Sequence, residues 1–169
     1  MCLFERLKFY SNIFVSQDML DIAPLFNPGN RTRFKEPQID RIPAFGSILY
    51  TIWKDREEFI YVGIGGIRGT KVEDRNPRSR IIQHWQGMRS GDQFCIYVQD
   101  HFVLPELVNK QYTPQNGQID RLVRQYIHDH LSYAYVIDQS PEGNKRVRDF
   151  ERQIQQGAWR GIRPLLNPL

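Results

Sequence analysis

The sequence predicts a mixed α/β (α+β) domain, a small antiparallel β-sheet flanked by helices. Three observations carry that expectation. Two β-branched and aromatic runs, at 46–53 and 58–63, flank a charged turn and read as a hairpin. Two further apolar runs, at 94–98 and 133–137, read as strands. Segments at 77–89, 119–130 and 145–156 repeat apolar residues every three or four positions, as helices with one buried face do.

At 169 residues the chain suits one core with an extension better than two separately packed cores, giving an N-terminal arm over 1–45 and a domain over 46–169. The formal charge of +4 is carried mainly by arginine, whose planar fork matches phosphate, so nucleic acid is the partner class that charge favours. The two cysteines, Cys2 and Cys95, stand far apart with no Cys/His spacing around them. That argues against a disulfide framework or a structural zinc site and for a reducing, cytoplasmic setting. Charges break the first eight residues before an apolar leader can form, and no run approaches membrane-spanning length.

In chain order, a short helix is expected between Ser16 and Leu25, followed by a turn at Asn27-Pro-Gly-Asn30. Arg31, Arg33, Lys35 and Arg41 then interleave with Phe34 in a segment without periodicity. It reads either as a solvated connector or as an arm lying along a phosphate backbone. In the hairpin, a four-residue turn at 54–57 pairs Trp53 with Glu58 and sets Tyr50 opposite Tyr61, so that two phenols share one face. On spacing alone, packing accounts for such a pair more readily than chemistry does.

Glycines crowd behind the second strand, at 63, 65, 66 and 69. A dinucleotide fingerprint would require glycine at position 68, which is Arg68, and no GKS or GKT follows, so neither phosphate-loop motif is present. Asn76-Pro77 starts a helix that runs to about Arg89, with Ile81, Ile82, Trp85 and Met88 as its apolar stripe. Arg80 and His84 are one turn apart and face the same way. Between Gly63 and Gly91 six basic residues (Arg68, Lys71, Arg75, Arg78, Arg80, Arg89) outnumber two acidic ones (Glu73, Asp74), which places a charge of +4 there. A solvated basic face explains most of them; Arg80 is the exception.

The helix over 119–130 ends in His128-Asp129-His130, whose two imidazoles point about 200° apart on a continuing helix and cannot chelate one ion. In the last helix Val147, Phe150 and Ile154 form the inward stripe, and Glu151 lies within it. A carboxylate there must be paired, raised in pKa or bound to a cation; Arg148 and Arg152 are the local candidates for pairing.

Taken together these residues resemble the GIY-YIG nuclease superfamily. Ile48-Leu49-Tyr50 and Tyr61-Val62-Gly63 stand where its two hairpin motifs do. Arg80 and His84 match its helix, Glu151 its later carboxylate, and Pro164-Leu-Leu-Asn167 its closing motif. The resemblance leaves 92–130 as an inserted strand and helix, and Ile64 occupies a position that is polar in many members. It implies hydrolysis of a DNA phosphodiester with one Mg2+ or Mn2+ held by Glu151. Tyr50 or His84 would be the general base, Arg80 would stabilise phosphate charge, Tyr61 would position phosphate or water, and Asn167 would fix the geometry. Arg31, Arg33, Lys35, Arg68, Lys71 and Arg78 are the expected DNA contacts. Cutting both strands would call for two sites, hence a homodimer. A catalytically inactive nucleic-acid-binding module on the same fold is the other reading.

Overall fold

The computed structural model describes residues 20–55, 57–115, 117–159 and 161–167. Four strands, β1 (Thr32–Arg33), β2 (Ser47–Lys54), β3 (Glu58–Gly65) and β4 (Leu131–Asp138), form one antiparallel sheet in the order β1-β4-β2-β3. The α-helices are α1 (Arg78–Gln86), α2 (Gln93–Val98), α3 (Leu104–Asn109), α4 (Gln118–His130) and α5 (Gly143–Gln155). The mixed α+β class and the antiparallel sheet are therefore as expected. None of the described helices is long and apolar enough to cross a membrane.

β2 is central, hydrogen-bonded on both sides, and seven of its eight residues are buried. Alternation sends Ile48, Tyr50 and Ile52 to one face, under α1, α2 and α4, and Leu49, Thr51 and Trp53 to the other. The second face is covered by α5, through Val147 and Ile154, and by a 3-10 turn at Ala23–Phe26 whose Phe26 stacks on Trp159 and meets Trp53 and Phe59 edge-on.

The hairpin register differs from expectation. Lys54 pairs with Glu58 and Trp53 with Phe59, because the turn is one residue shorter than a four-residue loop. Ile60 then bulges out of the ladder, so Ile52 pairs with Tyr61 and Tyr50 with Gly63. Tyr50 and Tyr61 are thus diagonal neighbours rather than opposites, with ring centroids 6.3 Å apart on the same face.

Other expectations are corrected. Residues 94–98 form helix α2, not a strand: Asp92 accepts from the Phe94 amide as an N-cap, and Phe94, Cys95 and Val98 are buried at helical spacing. The segment over 93–130 thus holds helices and, among its described residues, no strand, continuing through a π-helical turn at Gln99–Val103 into α3 and, after a loop, α4. Helix α1 stops at Gln86 because Gly87 takes a left-handed φ of 66°, well before Arg89. Its buried residues are Ile81 and His84, while Trp85 and Met88 are exposed. Residues 20–45 are no free arm: Thr32 and Arg33 pair with Tyr133 and Ser132, and Phe34 and Ile42 are buried in the main core. Of the helix expected over 16–25, positions 16–19 lie outside the described residues, and a 3-10 turn covers Ala23–Phe26.

Arg75 shows why a basic count misleads. It is buried, and its guanidinium donates to the carbonyls of Ser140 and Pro141, tying the loop before α1 to the loop before α5. Charged donors to carbonyls contribute about 1.5–3 kcal/mol each. Arg75→Ala is expected to destabilise the fold by roughly 2–4 kcal/mol, read as a lower urea midpoint with an unchanged m-value.

Candidate active site

The site lies at the outer edge of β3, where the layers covering the two faces of the sheet meet. A cleft of about 610 Å³ opens there, lined by Tyr61 and Ile64 of β3, Arg68 of the following loop, Arg80 of α1 and Glu151 of α5. The Tyr50 hydroxyl lies behind Tyr61, and Gly63 makes room for it: a Cβ at position 63 would stand 2.4 Å from Tyr50 Oη and 2.7 Å from the Tyr61 ring.

Behind the cleft runs a buried polar chain. Tyr50 Oη is 2.7 Å from His84 Nε2, and His84 Nδ1 is 2.6 Å from Asp92 Oδ2. Tyr50 and His84 are fully buried and Asp92 is 3% exposed. Rings of Tyr50, Tyr61 and Phe94 surround the imidazole. Burial lowers the His84 pKa below its usual value despite the Asp92 hydrogen bond, so the ring is neutral at pH 7. Burial, reinforced by Tyr61, lifts the Tyr50 phenol well above its ordinary value. Burial and then Glu151 raise Tyr61 to about 12. For Asp92 burial acts upward, but hydrogen bonds from His84 and Cys95 hold its carboxyl below the usual range.

Arg80 joins the buried chain to the cleft. Its guanidinium donates to Gln83 Oε1 at 2.9 Å and faces the Tyr50 hydroxyl. Burial alone would lower its pKa, yet Tyr50, Asp92 and Tyr61 together raise it. Glu151 has neither expected partner: Arg152 instead lies 4.0 Å from Asp149, and neither Arg148 nor Arg152 comes within ion-pair distance of Glu151. Desolvation pushes its carboxyl up to about 7, against the combined pull of Arg148, Arg152 and Arg80. Among the described residues no group of three or more His, Cys, Asp or Glu side chains is placed to hold a metal ion. Any cation at Glu151 would therefore fill most of its positions from water or substrate.

Asn167 acts through structure. Its side chain accepts from the Val62 amide at 2.7 Å and donates to the Val62 carbonyl at 2.9 Å, continuing the ladder that the amides of Leu165 and Leu166 begin on Phe59 and Ile60. The free edge of β3 is sealed beside Tyr61.

The expected DNA contacts divide. Arg68 lines the cleft, and Lys71 is exposed just before the 3-10 turn Val72–Asp74, whose Asp74 also lines it. Arg78 points away, donating to the Ile42 carbonyl at 2.7 Å. Arg89 is bound to Asp120 and Gln99. Arg33 stands on β1 at the opposite edge of the sheet, three strand spacings or roughly 14 Å from β3, with Arg31 just before it in the chain. There they line a second groove of about 630 Å³ with Arg41, Tyr133 and Tyr135, and the Arg31 guanidinium sits 3.6 Å above the Trp53 ring. Lys35 borders a further groove beside Arg121 and Arg124 of α4. His128 donates to the Trp85 carbonyl and His130 faces Asp55, in separate directions.

Tyr50, Tyr61, Arg80, His84 and Glu151 thus converge, with Asn167 beside them. Asp92 escaped the sequence reading. The signal that could have found it was an acidic N-cap directly after Gly91, one helical turn before a cysteine, although nothing in the spacing says that it folds back onto His84. Comparisons with protein-family models, curated proteins and solved structures give no match for this chain.

The raised Glu151 pKa has a signed consequence. Between the unfolded value of 4.5 and about 7 the native state holds more protons than the unfolded one, so this group's contribution to stability falls as pH rises through that window. It is flat above. In metal-free buffer, Glu151→Gln should remove that slope and leave the variant more stable than wild type at pH 8 by on the order of 2 kcal/mol, measured as the difference between paired denaturation curves at pH 5 and pH 8.

Proposed function

We propose that the protein is a metal-dependent endonuclease that hydrolyses DNA phosphodiesters at the β3 edge. One observation carries this reading: a carboxylate that is desolvated and has no ion-pair partner among the described residues and an arginine line one cleft, directly in front of a buried Tyr–His pair able to accept a proton. The fit to a hard divalent cation rests on Glu151, because a carboxylate held up to about 7 by desolvation gains most from a cation beside it. When bound, Mg2+ or Mn2+ would supply positive charge to the phosphate oxygens and favour ionisation of a nearby water.

The protein's own groups do the rest. Arg80 takes up charge growing on the phosphate, and in turning toward it uncovers the Tyr50 hydroxyl. The attacking water gives its proton to Tyr50 Oη as the Tyr50 proton passes to His84 Nε2; the water oxygen bonds to phosphorus, the bond to the departing sugar oxygen breaks, and that oxygen takes a proton from cleft water. A neutral phenol whose pKa is raised cannot ionise first, so this transfer needs the lone pair of a neutral His84. Tyr61 orients water or phosphate at the cleft wall, and Arg68 and Lys71 extend the positive surface along the backbone. The exposure of Arg33 and Arg41 in a groove across the sheet suits a second contact with flanking duplex.

Incubating the protein with plasmid and Mg2+ tests this. Wild type should nick or cut, with Arg80→Ala and Glu151→Ala reduced by about 10²–10³ and Tyr50→Phe by about 10²–10⁴. Equal, metal-independent persistence of DNA with all four proteins, across several substrates, would sink the reading. Retained DNA binding without cutting by wild type would favour the inactive binding module. Independently of turnover, Mg2+ or Mn2+ should raise the Tm of wild type and leave that of Glu151→Gln unchanged.

A further inference from the structure

We infer that Asp92, supplied by the inserted helical segment, is the positioning residue of a three-member buried relay: it fixes His84 in the tautomer that accepts the Tyr50 proton. This rests on the nuclease reading for its catalytic consequence, but the tautomer is a property of the folded protein alone.

Hydrogen-bond inventory carries the inference. An ionised carboxylate only accepts, so the atom 2.6 Å from Asp92 Oδ2 must be a protonated Nδ1. A neutral imidazole carries one proton, so Nε2 has a free lone pair, and the partner 2.7 Å away, Tyr50 Oη, must donate to it. The phenol oxygen is thereby left with its own lone pairs beside Arg80, ready to receive a proton. Reversing the tautomer would aim an N–H at Tyr50, and the relay could not accept.

The placement of Asp92 is over-determined, which a merely space-filling carboxylate would not need. Its Oδ1 accepts from the Phe94 amide and so caps α2, while Oδ2 receives both His84 and the Cys95 thiol at 3.3 Å. With Asp92 Oδ2 already engaged, the Cys95 thiol is held protonated by burial and by that carboxylate, so it takes no part in proton transfer. The groups facing His84 are Tyr50 from β2, Tyr61 from β3, Arg80 from its own helix, and Asp92 from α2. Asp92 alone among them is anionic, and it alone can stabilise the imidazolium formed when the proton arrives. The insertion thus serves a chemical purpose, since the third member of the relay stands at its first turn.

The test uses the full-length protein labelled with 15N. Ring-nitrogen shifts at pH 7.5 should show His84 protonated on Nδ1 in wild type. Asp92→Asn keeps the α2 cap, since asparagine also caps, but can offer its amide N–H to Nδ1, and should move the proton to Nε2. In the plasmid assay this variant should lose about 10²–10⁴ in kcat with KM changed little, while Asp92→Glu should restore the Nδ1 tautomer and part of the rate. A circular dichroism spectrum matching wild type verifies folding. A wild-type His84 protonated on Nε2, or an Asp92→Asn protein with an unchanged tautomer, overturns the inference, as does an Asp92→Asn enzyme that cuts at the wild-type rate. If wild type cuts no substrate, the nuclease reading fails by itself, and the tautomer still decides whether Asp92 sets His84.

Discussion

The register between β2 and β3 is the constraint on which the site depends. Side chains alternate along a strand, so a slip of one residue moves a whole set to the opposite face. The pairing that begins at Lys54 and Glu58 would, if it continued unbroken, set Tyr61 beside Thr51 on the face covered by α5. The single extra residue at Ile60 reverses that parity and delivers Tyr61 to the face of Tyr50, under α1 and α2. Bulges increase local twist and re-aim side chains near functional sites, and this one also leaves the Ile60 carbonyl free to accept from Leu166. The closing segment can then bind β3 and bring Asn167 onto Val62.

Once Tyr50 is turned into the core its hydroxyl must be satisfied there, since an unpaired buried hydroxyl costs roughly 1–3 kcal/mol. His84 meets that need and acquires one of its own at Nδ1, which Asp92 meets in turn. Each link requires the next, and the demand propagates from the sheet through α1 into α2. That is why α1 ends at Gly87 and the chain turns back: a helix continuing to Arg89 would carry Asp92 away from His84. Low local dielectric strengthens a chain of this kind when every member is paired and makes each loss expensive.

Composition and period made much of this legible. The hairpin, the strand read at 133–137 and the helices holding Arg80, His84 and Glu151 all follow from alternation, helical spacing and an Asn-Pro start. Arg80 and Glu151 stand out because their types are unusual at those positions, whereas Tyr50, Tyr61 and His84 draw notice only through the order of the motifs. Glu151 within an apolar stripe is the plainest case. What stayed hidden depends on tertiary contacts. A short apolar run such as Phe94-Cys-Ile-Tyr-Val98 suits a strand or a buried helix equally, and only the Asp92 cap decides. Turn length cannot reveal a bulge that lies beyond the turn. Arginines that look alike in a charge count prove to be braces, buried at Arg75 and half-buried at Arg78, or cleft residues, as Arg68 and Arg80 are.

On the proposed reading, placing the site at a sheet edge resolves a conflict between two chemical requirements. A proton relay works best where neighbours and solvent cannot compete for its hydrogen bonds, whereas a carboxylate that is to hold a hydrated cation, and an arginine that is to meet phosphate, need access to water. Tyr50, His84 and Asp92 occupy the dry side, beneath Tyr61 and Phe94, and Glu151 reaches the wet side from the helix on the other face. At a sheet centre the backbone would separate these layers. Beyond β3 they meet, and the cost of such a position is an unpaired strand edge in the wall of the site. The amides of Leu165 and Leu166 and the side chain of Asn167 cover that edge where Tyr61 stands, so the last described residues of the chain are part of the site's architecture although none of them faces the cleft.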